Sequence, residues 1–225
     1  MKAIKKFAIA LLASMSLSTP LVAGSADFAG IYGGFTASMI GASIDGSHTS
    51  SSGNIISSNI STNRGTVGAV TPIAGIEAGF NLPLGDIFFL GVGGSLHTGT
   101  AKLAESDDSA HEAEITIEAR DAETYYIQPS ISLFDNSAMY VKWGTRSIDI
   151  EAVGDVQTSQ KGALNGDFYG AGMLTQFNSG IYVRAEASAT SYDDFSVTGV
   201  GASTTSVMQG EPTIASGTVA IGFKF

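Results

Sequence analysis

The C-terminal segment constrains the fold of this chain more than any other stretch, because it has the pattern of a strand and ends on an aromatic residue. Apolar residues alternate with small or polar ones from Thr213 to Phe225. Phe225, Phe223 and Ile221 therefore share one face. This period of two is that of a β-strand with one buried face. A terminal strand has to pair its backbone edges and bury that face, either in a protein core or in a lipid bilayer.

The first residues have the order of a secretory signal peptide. Lys2, Lys5 and Lys6 precede an apolar run over residues 7–17, and small residues follow at positions 23–26. The apolar run is too short to span a bilayer as a helix. We therefore predict a signal peptide over residues 1–26, cleaved within residues 23–26, and a mature domain over residues 27–225.

The composition of the mature part excludes several classes of protein. Without the three N-terminal lysines the chain keeps 8 basic residues against 21 acidic ones, a formal charge of −13, and such a chain repels the phosphates of nucleic acid. It contains no cysteine, which excludes disulfides and thiolate metal sites. After the signal no apolar run has the length of a membrane helix. A bilayer would have to be crossed by strands, each of about ten alternating residues.

Seven further segments alternate as the last one does. Together they predict an all-β fold, an eight-stranded antiparallel up-and-down transmembrane barrel. The predicted strands are residues 28–43, 67–81, 87–102, 114–134, 138–150, 167–178, 181–192 and 213–225.

The connections between these strands alternate in length. In an up-and-down sheet this puts every long loop at one end, and the short turns with both termini at the other. The short turns are residues 82–86, 135–137 and 178–180, and the long polar loops are residues 44–65, 103–113, 151–165 and 193–212.

Aromatic residues recur where the predicted strands meet the short-turn end. Aromatic rings favour the boundary between lipid tails and headgroups, so these residues predict an interfacial belt to which each strand contributes one ring. The belt residues are Phe28, Phe80, Phe88, Phe134, Tyr140, Phe177, Tyr182 and Phe225.

With these features the mature chain resembles, over nearly its whole length, the small eight-stranded outer-membrane β-barrels of bacteria, such as the OmpA transmembrane domain, OmpX and the opacity-type surface antigens. The resemblance is carried by Ile31-Tyr32-Gly33-Gly34 in the first strand, by the alternating strands and by the terminal Phe. It implies an outer-membrane location and contact with membrane lipid and lipopolysaccharide. It also implies that Phe223 and Phe225 are the signal read by the barrel-assembly machinery.

Charged residues inside the strands lie mostly on the faces opposite the apolar ones. An eight-stranded barrel is just wide enough to be filled by side chains, which favours a static salt-bridge network over a narrow or gated ion path. We accordingly predict a structural or surface-interacting protein with four long extracellular loops and a plugged lumen, and keep a small porin as the alternative. The predicted lumen network is Glu77, Lys142, Arg146, Arg184 and Glu186.

Three histidines are the only side chains suited to acid–base chemistry near neutral pH: His48, His97 and His111. Ser95 lies two residues from His97 on the same predicted face, and some barrels of this size modify lipid A with His and Ser. No third partner is evident, so we expect no enzymatic activity, metal or cofactor. A soluble exported barrel with its faces reversed around a small apolar ligand is a further alternative, since alternation alone does not distinguish inside from outside.

Overall fold

A computed structural model describes residues 24–52, 70–108, 113–134, 136–154, 161–200 and 204–225. Over these ranges the chain forms a short 3-10 helix, Ser25–Phe28, and nine strands. No helix in this part of the chain is long and apolar enough to cross a bilayer. The strands are β1 (Gly30–Ser52), β2 (Val70–Pro83), β3 (Phe88–Asp108), β4 (Ala113–Phe134), β5 (Ser137–Gly154), β6 (Lys161–Gln176), β7 (Ile181–Tyr192), β8 (Phe195–Val200) and β9 (Thr204–Lys224).

Eight of these strands close into a ring. Strands β1 to β7 pair antiparallel in chain order, from β1 with β2 to β6 with β7. β7 then pairs with β9, and β9 pairs with β1. The closing ladder runs from Tyr32 opposite Lys224 to Ser52 opposite Thr204. β8 continues the line of β7 along the same edge of β9, with a shift of one residue in register, from Phe195 opposite Gly210 to Val200 opposite Thr205. The predicted eight-stranded, up-and-down barrel is confirmed.

Side chains alternate between the interior and the outer surface along each strand, because successive residues of a strand point to opposite faces. In β7, Tyr182 and Arg184 are buried inside, whereas Val183 is exposed. The outer surface carries large apolar side chains, among them Phe35 at 72% and Val219 at 57% exposure. This is the pattern of a transmembrane barrel. The alternative with reversed faces is wrong, because the large apolar rows point outward.

The three short connections and both ends of the ring lie together, as predicted. Gly85 and Gly180 occupy the turns β2–β3 and β6–β7 with φ of +113° and +82°, a backbone conformation that glycine adopts readily. At the same end the backbone amide of Phe225 donates to the carbonyl of Ile31 at 2.8 Å. The predicted signal peptide lies outside the described residues up to position 23 and stays a prediction.

The long polar loops are the main error of the sequence analysis. β1 continues to Ser52, β3 continues to Asp108, and the stretch 193–212 contains β8 and the start of β9. β5 and β6 similarly extend into residues 151–165. Within the first predicted loop, residues 53–65 lie outside the described residues. These segments are strands because backbone pairing continues along an existing ladder whatever the side chains are, and Ser and Thr are compatible with it.

Candidate functional site in the barrel interior

Four charged side chains from three strands meet in the middle of the interior. Arg184 Nη1 lies 2.9 Å from Glu77 Oε2, and Lys142 Nζ lies 2.7 Å from Glu186 Oε2. Lys142 Nζ is also 4.0 Å from Glu77 Oε2, which links the two pairs. All four side chains are at most 6% exposed. Two cations and two carboxylates thus neutralise one another away from water, which is the condition for burying such charges. We call these residues the central network.

Four buried tyrosines surround the central network. The Tyr182 hydroxyl donates to Glu77 Oε1 at 2.9 Å, and the Tyr140 hydroxyl donates to Glu186 Oε2 at 3.0 Å. The hydroxyls of Tyr32 and Tyr126 lie 3.1 Å apart, and Lys142 Nζ lies 3.9 Å from the centroid of the Tyr126 ring. These contacts satisfy the carboxylates and place aromatic faces against the cations.

Each of these tyrosines stands directly opposite a glycine of the neighbouring strand. A residue with a side chain at these positions would collide with the ring or hydroxyl, so the glycines create the space in which the tyrosines lie. A Cβ at Gly172, for example, would lie 2.4 Å from the Tyr140 hydroxyl oxygen. The pairs are Tyr32 with Gly79, Tyr126 with Gly93, Tyr140 with Gly172, and Tyr182 with Gly222.

Gly172→Ala is expected to destabilise the barrel by about 1–3 kcal/mol, since the new methyl group forces Tyr140 out of its place beside Glu186. The matched control is Gly217→Ala in β9, where a Cβ meets nothing within 4 Å. Urea unfolding in lipid vesicles, followed by fluorescence, measures both variants. Equal stability of the two variants would contradict the packing role of Gly172.

The 3-10 helix covers the interior at the short-turn end. Phe28 stacks on Phe89 with ring centroids 5.0 Å apart, and both residues are 1% exposed. Asn81 Nδ2 donates to the carbonyl of Phe28 at 3.1 Å, and Lys224 Nζ donates to the carbonyl of Asp27. Phe28 and Phe89 belong to one buried cluster with interior residues of the barrel. The helix therefore forms a floor beneath the central network.

The interior on the opposite side of the central network is apolar. The side chains there come from all eight ring strands, and together they form one apolar cluster, which we call the upper chamber. Its buried members are Ile40, Ala42, Ala101, Ala119, Ile148, Leu164, Tyr192 and Ile214, and Ile73, Ala122 and Ile150 pack against them.

Arg146 and His97 lie at the base of the upper chamber, apart from the pairs of the central network. Arg146 Nε donates to Thr124 Oγ1 at 2.8 Å, and its guanidinium carbon lies 4.5 Å from the centroid of the Phe168 ring. His97 Nε2 is 3.2 Å from Thr36 Oγ1. The structure therefore brings together four of the five predicted network residues and places Arg146 beside them without an ion pair in the described part of the chain.

The His97–Ser95 pair considered from the sequence does not form a hydrogen bond in the described part of the chain. Its Nε2 atom faces the hydroxyls of Thr36 and Ser38, at 3.2 and 3.5 Å, and not that of Ser95. Among the described residues, no three His, Asp or Glu side chains are grouped closely enough to hold a metal ion. The side chain of His48 and the whole of His111 lie outside what the structure describes.

The predicted aromatic belt is wrong for three of its eight members. Phe28 belongs to the floor, and Tyr140 and Tyr182 point into the interior, where each is at most 3% exposed. The reason is strand parity: Tyr140 is two residues from Lys142 and Tyr182 two from Arg184, so each shares the inward face of that charge. The exposed members are Phe80, Phe88, Phe134, Phe177 and Phe225.

A second group of outward aromatic residues was missed. Tyr125, Trp143 and Tyr169 are 61%, 58% and 53% exposed on the adjacent strands β4, β5 and β6. Trp143 is directly opposite Tyr169, and the next outward residues, two positions farther from the short turns, are polar. The sequence contained a signal for this second group. Each of the three aromatic residues is the last large apolar residue on its outward face, and a polar residue follows it on that face: Glu123, Thr145 and Asp167. Aromatic residues at both edges of an apolar band are typical of membrane-spanning barrels.

No protein-family model and no curated protein matches this sequence. Solved structures similar to the chain include the attachment invasion locus protein Ail of Yersinia pestis in complex with sucrose octasulfate, at 11% identity over 81% of this chain and 98% of that one, with a TM-score of 0.38. Neisserial surface protein A shares 12% identity over 87% and 97% of the two chains, with a TM-score of 0.42. The N-terminal barrel of Pseudomonas aeruginosa OprF shares 14% identity over 84% and 97%, with a TM-score of 0.32.

Because these similarities are low, the fold is assigned from the strand pairing of this chain itself. The ring closes through β1 and β9, its outer surface carries an apolar band with aromatic edges, and its charged residues are paired inside. The chain is a closed, eight-stranded, up-and-down antiparallel β-barrel with the apolar exterior and charged interior of a transmembrane barrel.

Proposed function

We propose that the protein is a structural or surface-interacting β-barrel of the bacterial outer membrane whose interior does not conduct. The observation that carries this proposal is the combination of an apolar outer band with an interior occupied by paired charges. In water the exposed rows would form an unusually large apolar patch, whereas in lipid they are the favoured surface.

The contents of the barrel support a closed lumen. The floor of Phe28 and Phe89, the central network and the upper chamber follow one another along the interior. Ions would have to separate Arg184 from Glu77 and Lys142 from Glu186 to pass the middle layer. Separating buried ion pairs costs several kcal/mol. The small-porin alternative requires an open path through all three layers.

The length of the strands supports a role at the cell surface. About ten residues suffice for a strand to cross a bilayer, but β1, β3, β4 and β9 have 23, 21, 22 and 21 residues. The excess lies at the end away from the short turns. We infer that these paired extensions, together with the connections between them, are the part that contacts lipopolysaccharide and extracellular partners.

The last strand supports recognition by the assembly machinery. Phe223 and Phe225 are exposed on the outer surface, at 49% and 82%. β9 is also the strand that closes the ring between β7 and β1. A strand that completes the ring presents its edges until closure, and its outward aromatic residues remain accessible to an assembly factor.

The test combines cell fractionation with planar-bilayer recording of the purified protein. We expect the protein in the outer-membrane fraction, with heat-dependent mobility on detergent gels, and no steady single-channel current. As a control for detection, an established porin is recorded under the same conditions. Large steady currents would support the porin alternative, and recovery in the soluble periplasmic fraction would overturn the membrane assignment.

A further inference from the structure

The upper chamber contains a cavity of about 40 Å³, bounded mostly by apolar side chains, by His97 and Arg146 at its base, and by the exposed residues Arg120 and Asp121 at its edge. Ile40, Ile148 and Ile214 form its apolar wall. The cavity has room for about three water-sized groups. Its walls are therefore suited to the first part of an apolar chain, and its base to a polar head.

The polar groups at the base favour an anion. His97 is 6% exposed, and its Nδ1 atom is buried without a hydrogen-bond partner. Arg146 is 8% exposed, and no carboxylate in the described part of the chain lies within ion-pair distance of it. Arg184 and Lys142, by contrast, each have a glutamate partner. Among the described residues, the base of the chamber thus holds one buried positive charge with no carboxylate in ion-pair distance, and such a charge is stabilised strongly by a bound anion.

The β2–β3 ladder ends beside this cavity. β2 and β3 pair from Pro83 opposite Phe89 only as far as Ala74 opposite Thr98. Beyond that point, among the described residues, 70–73 pair with β1 and 100–108 pair with β4, and no β2–β3 pair is present. We call this region the β2–β3 seam.

A glycine and an isoleucine flank the β2–β3 seam, and both line the cavity. Gly99 has a φ of +145°, and a Cβ placed on it would lie 3.3 Å from Ile73 Cγ2. The last large apolar residue on the outside of β3 below the seam is Leu96, at 44% exposure. The seam therefore lies at the edge of the apolar band, where an amphiphile of the bilayer has its head, and displacement of Ile73 would open it.

We propose that the upper chamber binds an anionic amphiphile, whose carboxylate or phosphate head contacts Arg146 and His97 and whose chain passes through the β2–β3 seam. The small cavity accommodates the head and the first part of the chain, and the remainder lies along Ile73 toward the apolar band. The proposal depends on the proposed outer-membrane location only for the source of the amphiphile, because binding itself requires no membrane.

Photo-cross-linking of the purified full chain in decyl maltoside, a neutral detergent, tests the proposal. The probe is a twelve-carbon fatty acid with a diazirine near its head, and labelled peptides are identified by mass spectrometry. We expect labelling of the segments around Ile40, Ile73 and Ile214. Dodecanoate or dodecyl phosphate should compete, and the better competitor identifies the head group. Dodecanol and dodecyltrimethylammonium should compete at least tenfold less well.

Two variants separate the head contact from the entrance. Arg146→Gln should weaken binding at least tenfold, the loss expected for a charge-assisted hydrogen bond. Lys224→Gln is the control, because that ammonium group is exposed at the short-turn end and does not line the cavity. Ile73→Trp fills the seam without touching the charge and should abolish labelling. Heat-dependent gel mobility establishes that each variant is folded.

Labelling confined to the outer surface, equal competition by dodecanol, or unchanged binding in folded Arg146→Gln would overturn the proposal. These results leave the proposed function intact, since that is decided by fractionation and conductance. Conversely, a soluble protein that still binds the probe through Arg146 would overturn the membrane assignment and support the chamber.

Discussion

Glu77→Ala is expected to destabilise the folded barrel by about 3–5 kcal/mol, the largest stability effect we predict. The substitution removes the carboxylate that lies 2.9 Å from Arg184 Nη1 and accepts a hydrogen bond from Tyr182. Arg184 is 2% exposed, so without this carboxylate its charge has little water to stabilise it. Because the remaining charge stays buried, removing one partner of a buried ion pair costs more free energy of folding than the intact pair contributes.

Urea unfolding in lipid vesicles, by fluorescence and gel mobility, measures the effect. Glu123→Ala is the matched control, because Glu123 is an exposed glutamate on the outward face of β4; its loss should change the free energy of unfolding by less than about 0.5 kcal/mol. The double variant Glu77→Ala/Arg184→Met removes both charges and should recover much of the lost stability. Equal stabilities of Glu77→Ala and Glu123→Ala would show that the central network does not exclude water.

Val219→Arg should destabilise the protein in membranes by about 2–4 kcal/mol, the cost of an arginine at the bilayer midplane on the lipid face of a barrel. Val219 is 57% exposed and lies opposite Ala37 and Ala185, in the middle of the apolar band. The positive charge there has neither water nor a carboxylate to stabilise it. The effect depends on lipid outside the barrel, so it tests directly which side of the wall faces the bilayer.

The control is Leu84→Arg in the β2–β3 turn, where the side chain is 56% exposed but beyond the apolar band. Near the interface the cost falls to about 0–1 kcal/mol. Unfolding in vesicles and outer-membrane yield in cells both report the difference between the two variants. If Val219→Arg behaves as Leu84→Arg does, the apolar band does not contact lipid and the membrane assignment is wrong.

Much of the barrel can be predicted from local pattern. The period of two over residues 213–225 and in the other strands identifies strands and assigns each residue to one of two faces, because a strand alternates by geometry alone. Glycine in the turns at Gly85 and Gly180 marks two of the hairpins. The same parity places Glu77, Lys142, Arg184 and Glu186 on one common face. Applied consistently, it also places Tyr140 and Tyr182 inside, where the structure has them.

The ends of the strands were not predictable in this way. Beyond the apolar band neither face of β1 or β9 is in lipid, so residues such as those of 44–52 show no alternation and read as loop. Pairing along a ladder that already exists decides their structure, and this depends on the neighbouring strand rather than on the segment itself.

The sequence by itself determined the strands, their faces and the polarity of the outer surface, because these follow from alternation within about ten residues. Only the tertiary structure decided which inward residues meet. Glu77 and Arg184 lie on strands that are not neighbours in the ring, and the register and closure of all eight strands bring them to 2.9 Å. In the described part of the chain the same closure places no carboxylate within ion-pair distance of Arg146 and ends the β2–β3 ladder at Thr98, because contacts across a barrel depend on the stagger of every strand between them.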